Sequence, residues 1–268
     1  MKFTLLISLY YKEKSEYLHQ CLQSIYDNTY QPDQVVVVYD GPIGDDLERV
    51  IDQFSALLPM EIVRLPQNVG LGAALNRGLE YCRNNTVLRM DTDDVCLPER
   101  FALQMAFLEN NPQVALLGGA IQEFDESLVV SRGIRFSVSN HIEIEAYCKK
   151  RNPFNHMTVA FKKNVIESVG GYQHHFLMED YNLWLRVIAS GYQTHNLKDI
   201  LVNVRAGNNM ISRRKGFDYI KSEIKLAKFK RELKIDNIIG IMNCAIIRIV
   251  PRILPTSFLD LVYRMLRK

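Results

Sequence analysis

The 268-residue sequence has no run of eighteen apolar residues, so no segment reads as a membrane-spanning helix. It has no CxxC pair and no metal-ligand spacing among its five cysteines, at 21, 82, 96, 148 and 244. That odd, scattered set argues against a disulfide framework and reads as reduced thiols in a cytosolic setting. Prolines number only 9, and 47% of residues are hydrophobic, which excludes a disordered chain. Internal repeats and low-complexity tracts are also missing. The apolar start, Phe3 to Tyr11, lacks a small-residue cleavage site and runs into Lys12-Glu13-Lys14. It reads as a buried first strand rather than a signal peptide.

Charge is divided unevenly. Residues 213–268 carry 14 Lys/Arg against 5 Asp/Glu, a net +9, while the remainder carries 19 against 25, a net −6. A basic tail on an acidic body is expected to face something anionic, or to present a solvated helix face. Nothing in the pattern points to nucleic acid.

The first 110 residues alternate between two periodicities. FTLLISLY, QVVVVYD, MEIVRLP and TVLRMD have strand length and β-branched content, and helical spacing fills the gaps between them. Leu18, Leu22 and Ile25, for example, make one apolar stripe. Such βα units imply an α/β fold with a Rossmann-like, doubly wound sheet, whose ligands sit beyond the carboxyl ends of the strands. Residues 111–212 read as a mixed-sheet half: strands over 114–124, 128–136, 156–161 and 201–205, with helices over 141–150 and 179–190. Residues 213–268 read as a helical extension cut by Pro251 and Pro255.

The sharpest chemical signal is Arg89-Met90-Asp91-Thr92-Asp93-Asp94. Carboxylates at i and i+2, on a tight turn leaving a buried strand, can converge on Mg2+ or Mn2+. The same residues also describe an acidic turn leading into a helix at Pro98; their place after the fourth strand favours the metal reading. Asp40-Gly41-Pro42 ends the second strand, either as an ordinary turn or as a carboxylate for a nucleotide base or ribose. Glu179 and Asp180 open a helix, as first-turn acids or as a general base. His156 is a candidate acceptor contact or a structural residue. Arg213 and Arg214 suit a diphosphate, or a solvated charge run.

In order along the chain, SLYYKEKSEYL, VVVVYDGP, NVGLGAALNRGL, RMDTDDVCLPERF, NPFNHMTVAF, GGY and EDYNLWLR resemble family 2 glycosyltransferases. The resemblance is to the bacterial enzymes that build O-antigen, capsule and exopolysaccharide repeat units, and it covers nearly the whole chain. It implies a GT-A fold over 1–212, a UDP-linked sugar donor, a lipid-diphosphate saccharide acceptor and inverting transfer aided by Mn2+ or Mg2+. It further implies that Asp91 and Asp93 are the DXD pair with Asp94 beside them. Tyr10, Glu13 and Asp40 would serve the nucleotide, and Asp180, with Glu179 adjacent, the base. Arg213 or Arg214 would hold the leaving diphosphate. The chain departs from the pattern in having Tyr39-Asp40 where many members carry two acids. It also lacks the QxxRW segment of processive synthases, which favours transfer of a single sugar. The tail's charge, with the apolar stretch IIGIMNCAIIRIV beside Arg248 and Arg252, is expected to dock it on the inner face of the cytoplasmic membrane or to pack on the catalytic domain or a second subunit, and a homo-oligomer is compatible with the sequence.

Two other readings compete. A sugar nucleotidyltransferase calls for a glycine-rich, basic loop after the first strand, and Tyr10-Tyr11-Lys12-Glu13-Lys14 has no glycine. A non-catalytic nucleotide-sugar-binding subunit would have no need for intact Asp91, Asp93 and Asp180.

Overall fold

A computed structural model of the chain describes residues 1–206 and 216–253. Four strands form its parallel core: β1 (Thr4–Leu9), β2 (Gln34–Tyr39), β3 (Met60–Arg64) and β4 (Thr86–Met90). β1 lies between β2 and β4, with Leu5 opposite Val35 and Leu88, and β3 flanks β2. Alternation along these strands builds two core layers. Leu5, Ile7, Leu9, Val35 and Val37 face helices α1 (Ser15–Tyr26) and α2 (Asp45–Ser55). Leu6, Val36 and Val38 face the other layer, which holds α3 (Leu71–Tyr81). Because both faces are covered, the strands are near-continuous apolar runs. α3 lies close on the sheet: a Cβ at Gly78 would fall 2.6 Å from Val38 Cγ2 and nearer still to Leu6 Cδ1.

The second half completes the same sheet. Its elements are β5 (Val95–Cys96), α4 (Arg100–Asn110), β6 (Val114–Phe124), β7 (Ser131–Arg135), α5 (His141–Tyr147), β8 (Ala160–Lys162), α6 (Lys163–Ser168), α7 (Glu179–Ala189) and β9 (Gln193–Arg205). Among the described residues the order is β3-β2-β1-β4-β8-β6-β9-β5, with β7 paired to β6. β8 inserts antiparallel between β4 and β6, and β5 is antiparallel to β9. The acidic turn 91–94 is therefore stretched between β4, in the middle of the sheet, and β5, at its far edge.

Three local expectations change. The strand expected over 156–161 begins as a 3-10 turn, His156–Thr158, closed by Thr158 N–H and Oγ1 on Asn155 O at 2.9 and 2.8 Å. The strand expected over 128–136 shrinks to β7. Asp125 Oδ1 accepts the N–H groups of Val129 (3.0 Å) and Val130 (3.2 Å), and Leu128 turns into the left-handed region at φ 59°. The strand expected over 201–205 is the end of the longer β9.

Two helices follow, α8 (Phe217–Glu232) and α9 (Ile238–Ile253). α9 continues past Pro251, so that proline does not cut it; Pro255 lies outside the described residues. Tyr219 and Leu226 of α8 join the core layer around Trp184, and Glu223, buried, pairs with Arg248 of α9 at 2.7 Å. The opposite face of α9 leaves Ile238, Ile239, Met242, Ile246 and Ile247 exposed.

Candidate active site

β1, β2 and β4 all deliver polar residues to one edge. After β1 the chain turns at Tyr10, whose carbonyl accepts Glu13 N–H (3.1 Å) and whose ring is exposed. The Glu13 carboxylate accepts from the Thr92 hydroxyl and from Lys14 N–H, so the first loop is tied to the acidic turn. After β2, buried Asp40 accepts from Val69 N–H (2.6 Å), Gly70 N–H (3.1 Å) and Asn68 Nδ2 (2.9 Å). Gly41, at φ 87°, lets this loop close: a Cβ there would lie 2.7 Å from Asn68 N. Glu13 and Asp40 thus fix the loops that follow β1 and β2.

After β4 come Asp91, Asp93 and Asp94, each with a carboxylate oxygen within 4.8 Å of the others. Asp91 is gripped bidentately by Arg89, with Nη1 on Oδ2 at 2.5 Å. Arg89 is 2% exposed, and its Nε has no hydrogen-bond partner among the described residues. Asp94 Oδ1 accepts Arg205 N–H (3.1 Å), and the Arg205 side chain reaches Asp93 O and Gln20 Oε1 while covering the Tyr17 ring. Burial, then the charges of Asp91 and Glu13, push the Asp93 carboxyl up to about 7. Burial and the neighbouring Asp93 and Asp91 push Asp94 well up too. Three crowded carboxylates, two of them destabilised by burial and by their neighbours' charge, are all oxygen donors and fit a hard divalent cation. Asp93 is the carboxylate least committed to other protein partners.

The second acidic group sits on the first turn of α7, where the helix dipole favours negative charge. Asp180 Oδ1 accepts Tyr181 N–H (2.7 Å), and Oδ2 accepts Asn152 Nδ2 (2.6 Å). Glu179 packs over the start of α3, 3.5 Å from where a Gly72 Cβ would stand, and burial raises its pKa. Asn76 of α3 fixes this junction by bonding both Tyr172 N–H and Tyr172 O at 2.7 Å. Tyr172 lies between the two acidic groups, within the electrostatic reach of Arg89, Asp180 and Asp91. Its hydroxyl meets His156 Nε2 at 2.9 Å, and the His156 ring stacks edge-on against Trp184. Burial and nearby Arg89 push the His156 pKa well below its usual value, so the ring is neutral. Arg213 and Arg214 lie outside the described residues.

Arg89 stood in the acidic motif without a role, and Asn152, Tyr172 and Arg205 were given none. Arg89 carried a signal: a charge inside the apolar strand TVLRM, two residues before Asp91 and hence on its face. Asn152 and Arg205 carried none, because their partners are 28 and 112 positions away.

The model for "Glycosyl transferase family 2" matches residues 6–170. The "Amylovoran biosynthesis glycosyltransferase AmsE" of Erwinia amylovora is 47% identical over 99% of both chains. An Escherichia coli protein, "UDP-Gal:alpha-D-GlcNAc-diphosphoundecaprenol beta-1,3-galactosyltransferase", is 40% identical over 98% of this chain and 95% of its own. Among solved structures, S. aureus TarS 1–349 in complex with UDP-GlcNAc superposes at a TM-score of 0.68, with 18% identity, over 85% of this chain and 66% of that one. The Pyrobaculum calidifontis mannosyltransferase in complex with GDP-Man and Mn2+ reaches 0.65, with 16% identity, over 99% and 79%. With the acidic turn beyond β4, the GT-A architecture and relatives that match from end to end, this chain belongs to glycosyl transferase family 2.

Proposed function

We propose that this chain moves one hexose from a UDP-sugar to a lipid-diphosphate-linked saccharide, with inversion, in the synthesis of a bacterial surface polysaccharide such as O-antigen or capsule. The observation that carries this reading is the pairing of two acidic groups at one edge: Asp91, Asp93 and Asp94 after β4, and Glu179 and Asp180 at the N-terminus of α7. Residues 1–212 form the catalytic unit, with 1–110 for the donor and 111–212 for the acceptor, and 213–268 form the extension.

Asp180 takes the proton from the acceptor hydroxyl. The acceptor oxygen bonds to the anomeric carbon as that carbon's bond to the diphosphate breaks, so an α-linked donor gives a β product and UDP. Asn152 and Tyr181 N–H hold the base carboxylate in place. Asp93 and Asp91 would hold Mn2+ or Mg2+, which when bound neutralises charge growing on the leaving diphosphate. Tyr10, Glu13 and Asp40 frame the nucleotide, and Arg213 or Arg214 grips the diphosphate. Neutral His156 supports the acceptor side through Tyr172.

The test is transfer itself: purified protein, labelled UDP-hexoses and a short-chain lipid-diphosphate saccharide, with Mn2+. Transfer that stops in excess chelator is expected. Transfer from no UDP-hexose, or full activity in chelator, refutes the donor or metal assignment.

The extension docks on the inner face of the cytoplasmic membrane. Its exposed Ile and Met side chains on α9 and its +9 charge support this. No described helix is long and apolar enough to cross a membrane. Flotation with anionic liposomes should need low salt and the extension. Indifference to such liposomes refutes the docking.

A further inference from the structure

The segment that leads into α7 walls an open cavity that the transfer reaction has not yet used. The cavity measures about 290 Å3 and is lined by His174, Phe176, Asp218, Lys221, Ser222 and Lys225. Its walls are braced from beneath. His175 is fully buried, with Nε2 3.0 Å from Ser222 O and Nδ1 3.3 Å from Asn182 Nδ2. Ser222 Oγ donates to Phe176 O at 2.7 Å. Leu177 adopts φ 56°, a strained position for a leucine that such bracing maintains. Segment 174–177 is thus pinned between α7 and α8 rather than left to drift.

The lining has a distinct chemistry. Lys225 Nζ spends one donor on His174 O (2.8 Å) and keeps two. Lys221 stands 3.6 Å from Asp218, and both side chains are largely exposed. Two ammonium groups and one carboxylate leave the cavity net positive, with His174 at its wall. Apolar side chains accompany these charges: Phe176 in the lining is 44% exposed, and Phe217, whose ring centre lies 4.7 Å from Lys221 Nζ, is 70% exposed. Cations next to exposed apolar surface suit a molecule that is anionic at one point and greasy at the next. His174 of the cavity wall lies within electrostatic reach of Glu179, which opens α7 next to the proposed base.

We propose that this cavity binds the diphosphate of the lipid-linked acceptor, with Lys221 and Lys225 on the phosphate oxygens and Phe176 and Phe217 on the first isoprene units. The inference rests on the lipid-diphosphate acceptor proposed above and adds where its anchor lies. A sugar whose reducing end is held here by its diphosphate presents its hydroxyls towards Asp180.

The test is equilibrium dialysis of labelled farnesyl diphosphate against the full-length protein, with saturating UDP and Mn2+ to fill the donor site. Binding should weaken about tenfold for each of Lys221→Gln and Lys225→Gln, as for loss of one charge-assisted contact. It should tighten in Asp218→Asn. Farnesol should bind far more weakly than the diphosphate. UDP affinity should not move in any of these variants, which also shows that they are folded. Equal binding by wild type and the double lysine variant, or equal binding of farnesol, overturns the proposal. If the variants leave both binding and the acceptor KM unchanged while transfer proceeds, this subsite is wrong and the function stands. If binding depends on the lysines but no diphosphate-linked saccharide is ever glycosylated, the cavity is a diphosphate site and the function is wrong.

Discussion

Replacing Asp180 by Asn separates a chemical role from a structural one, because the structure predicts very different sizes for the two effects. The new side chain has the same shape, and its Oδ1 still accepts Tyr181 N–H. Its amide, however, now faces the Asn152 amide, which donated to Oδ2 at 2.6 Å. Asn152 can turn its carbonyl towards the newcomer by giving up its bond from Phe154 N–H, at 3.2 Å. The bond to Asn152 loses its charge assistance and the bond from Phe154 is given up, which together cost about 1–2 kcal/mol. In a chain of this size each kcal/mol lowers Tm by about 2–4 °C. Loss of a general base costs about 10²–10⁴-fold in turnover, equivalent to about 3–5 kcal/mol in the barrier. Measured kcat should therefore collapse while the melting curve shifts by only that amount and the Kd for UDP scarcely moves. Glu179→Gln should keep most of the turnover, since Glu179 is packed against α3. Near-normal kcat in Asp180→Asn with a dead Glu179→Gln would transfer the role to Glu179. Near-normal kcat in both would remove the base from this helix altogether.

Mn2+ is expected to raise the Tm of the wild type, by about 2.7 kcal/mol of stabilisation at a hundredfold excess over Kd, and Asp93→Asn should abolish that rise; a rise of unchanged size in the variant refutes Asp93 as a ligand. Gly78→Ala should destabilise by about 1–3 kcal/mol, because the added methyl overlaps the buried Leu6 and Val38 side chains and forces them to shift; chemical denaturation with an unchanged midpoint contradicts that packing. Burial lowers the Lys230 pKa to about 8, although its ammonium donates to Lys149 O at 2.8 Å. Between about pH 8 and 10.5 the unfolded chain keeps a proton that the folded protein has released, so stability should rise with pH across that window. Relative to Lys230→Met the gain should reach up to about 3 kcal/mol, and parallel stability profiles for the two proteins refute it.

The βα core was legible in the sequence because its determinants are local. Branched apolar runs at strand length and stripes such as Leu18, Leu22 and Ile25 specify β1 to β4 and α1 to α3. The acidic turn was legible as well, since i, i+2 carboxylates at a strand end need no distant partner to be noticed. The resemblance carried by seven ordered motifs named the family for the same reason: each motif is a short contiguous word. What stayed hidden depends on residues far apart in the chain. The curl at His156–Thr158 is set by Asn155 and by contact with the β4–β6 junction, not by apolar spacing. β5 has only two residues and exists because β9 arrives beside it. Arg205 meets Asp93 and Asp94 only when β9 lies beside β5, and Asp180 meets Asn152 only when α7 docks. The cavity beside Leu177 arises from α8 packing across segment 174–177, through the buried His175. Pattern and propensity act over a few residues and so are written in the sequence; hydrogen bonds and ion pairs between segments a hundred positions apart are chosen by packing geometry, which exists only in the folded chain.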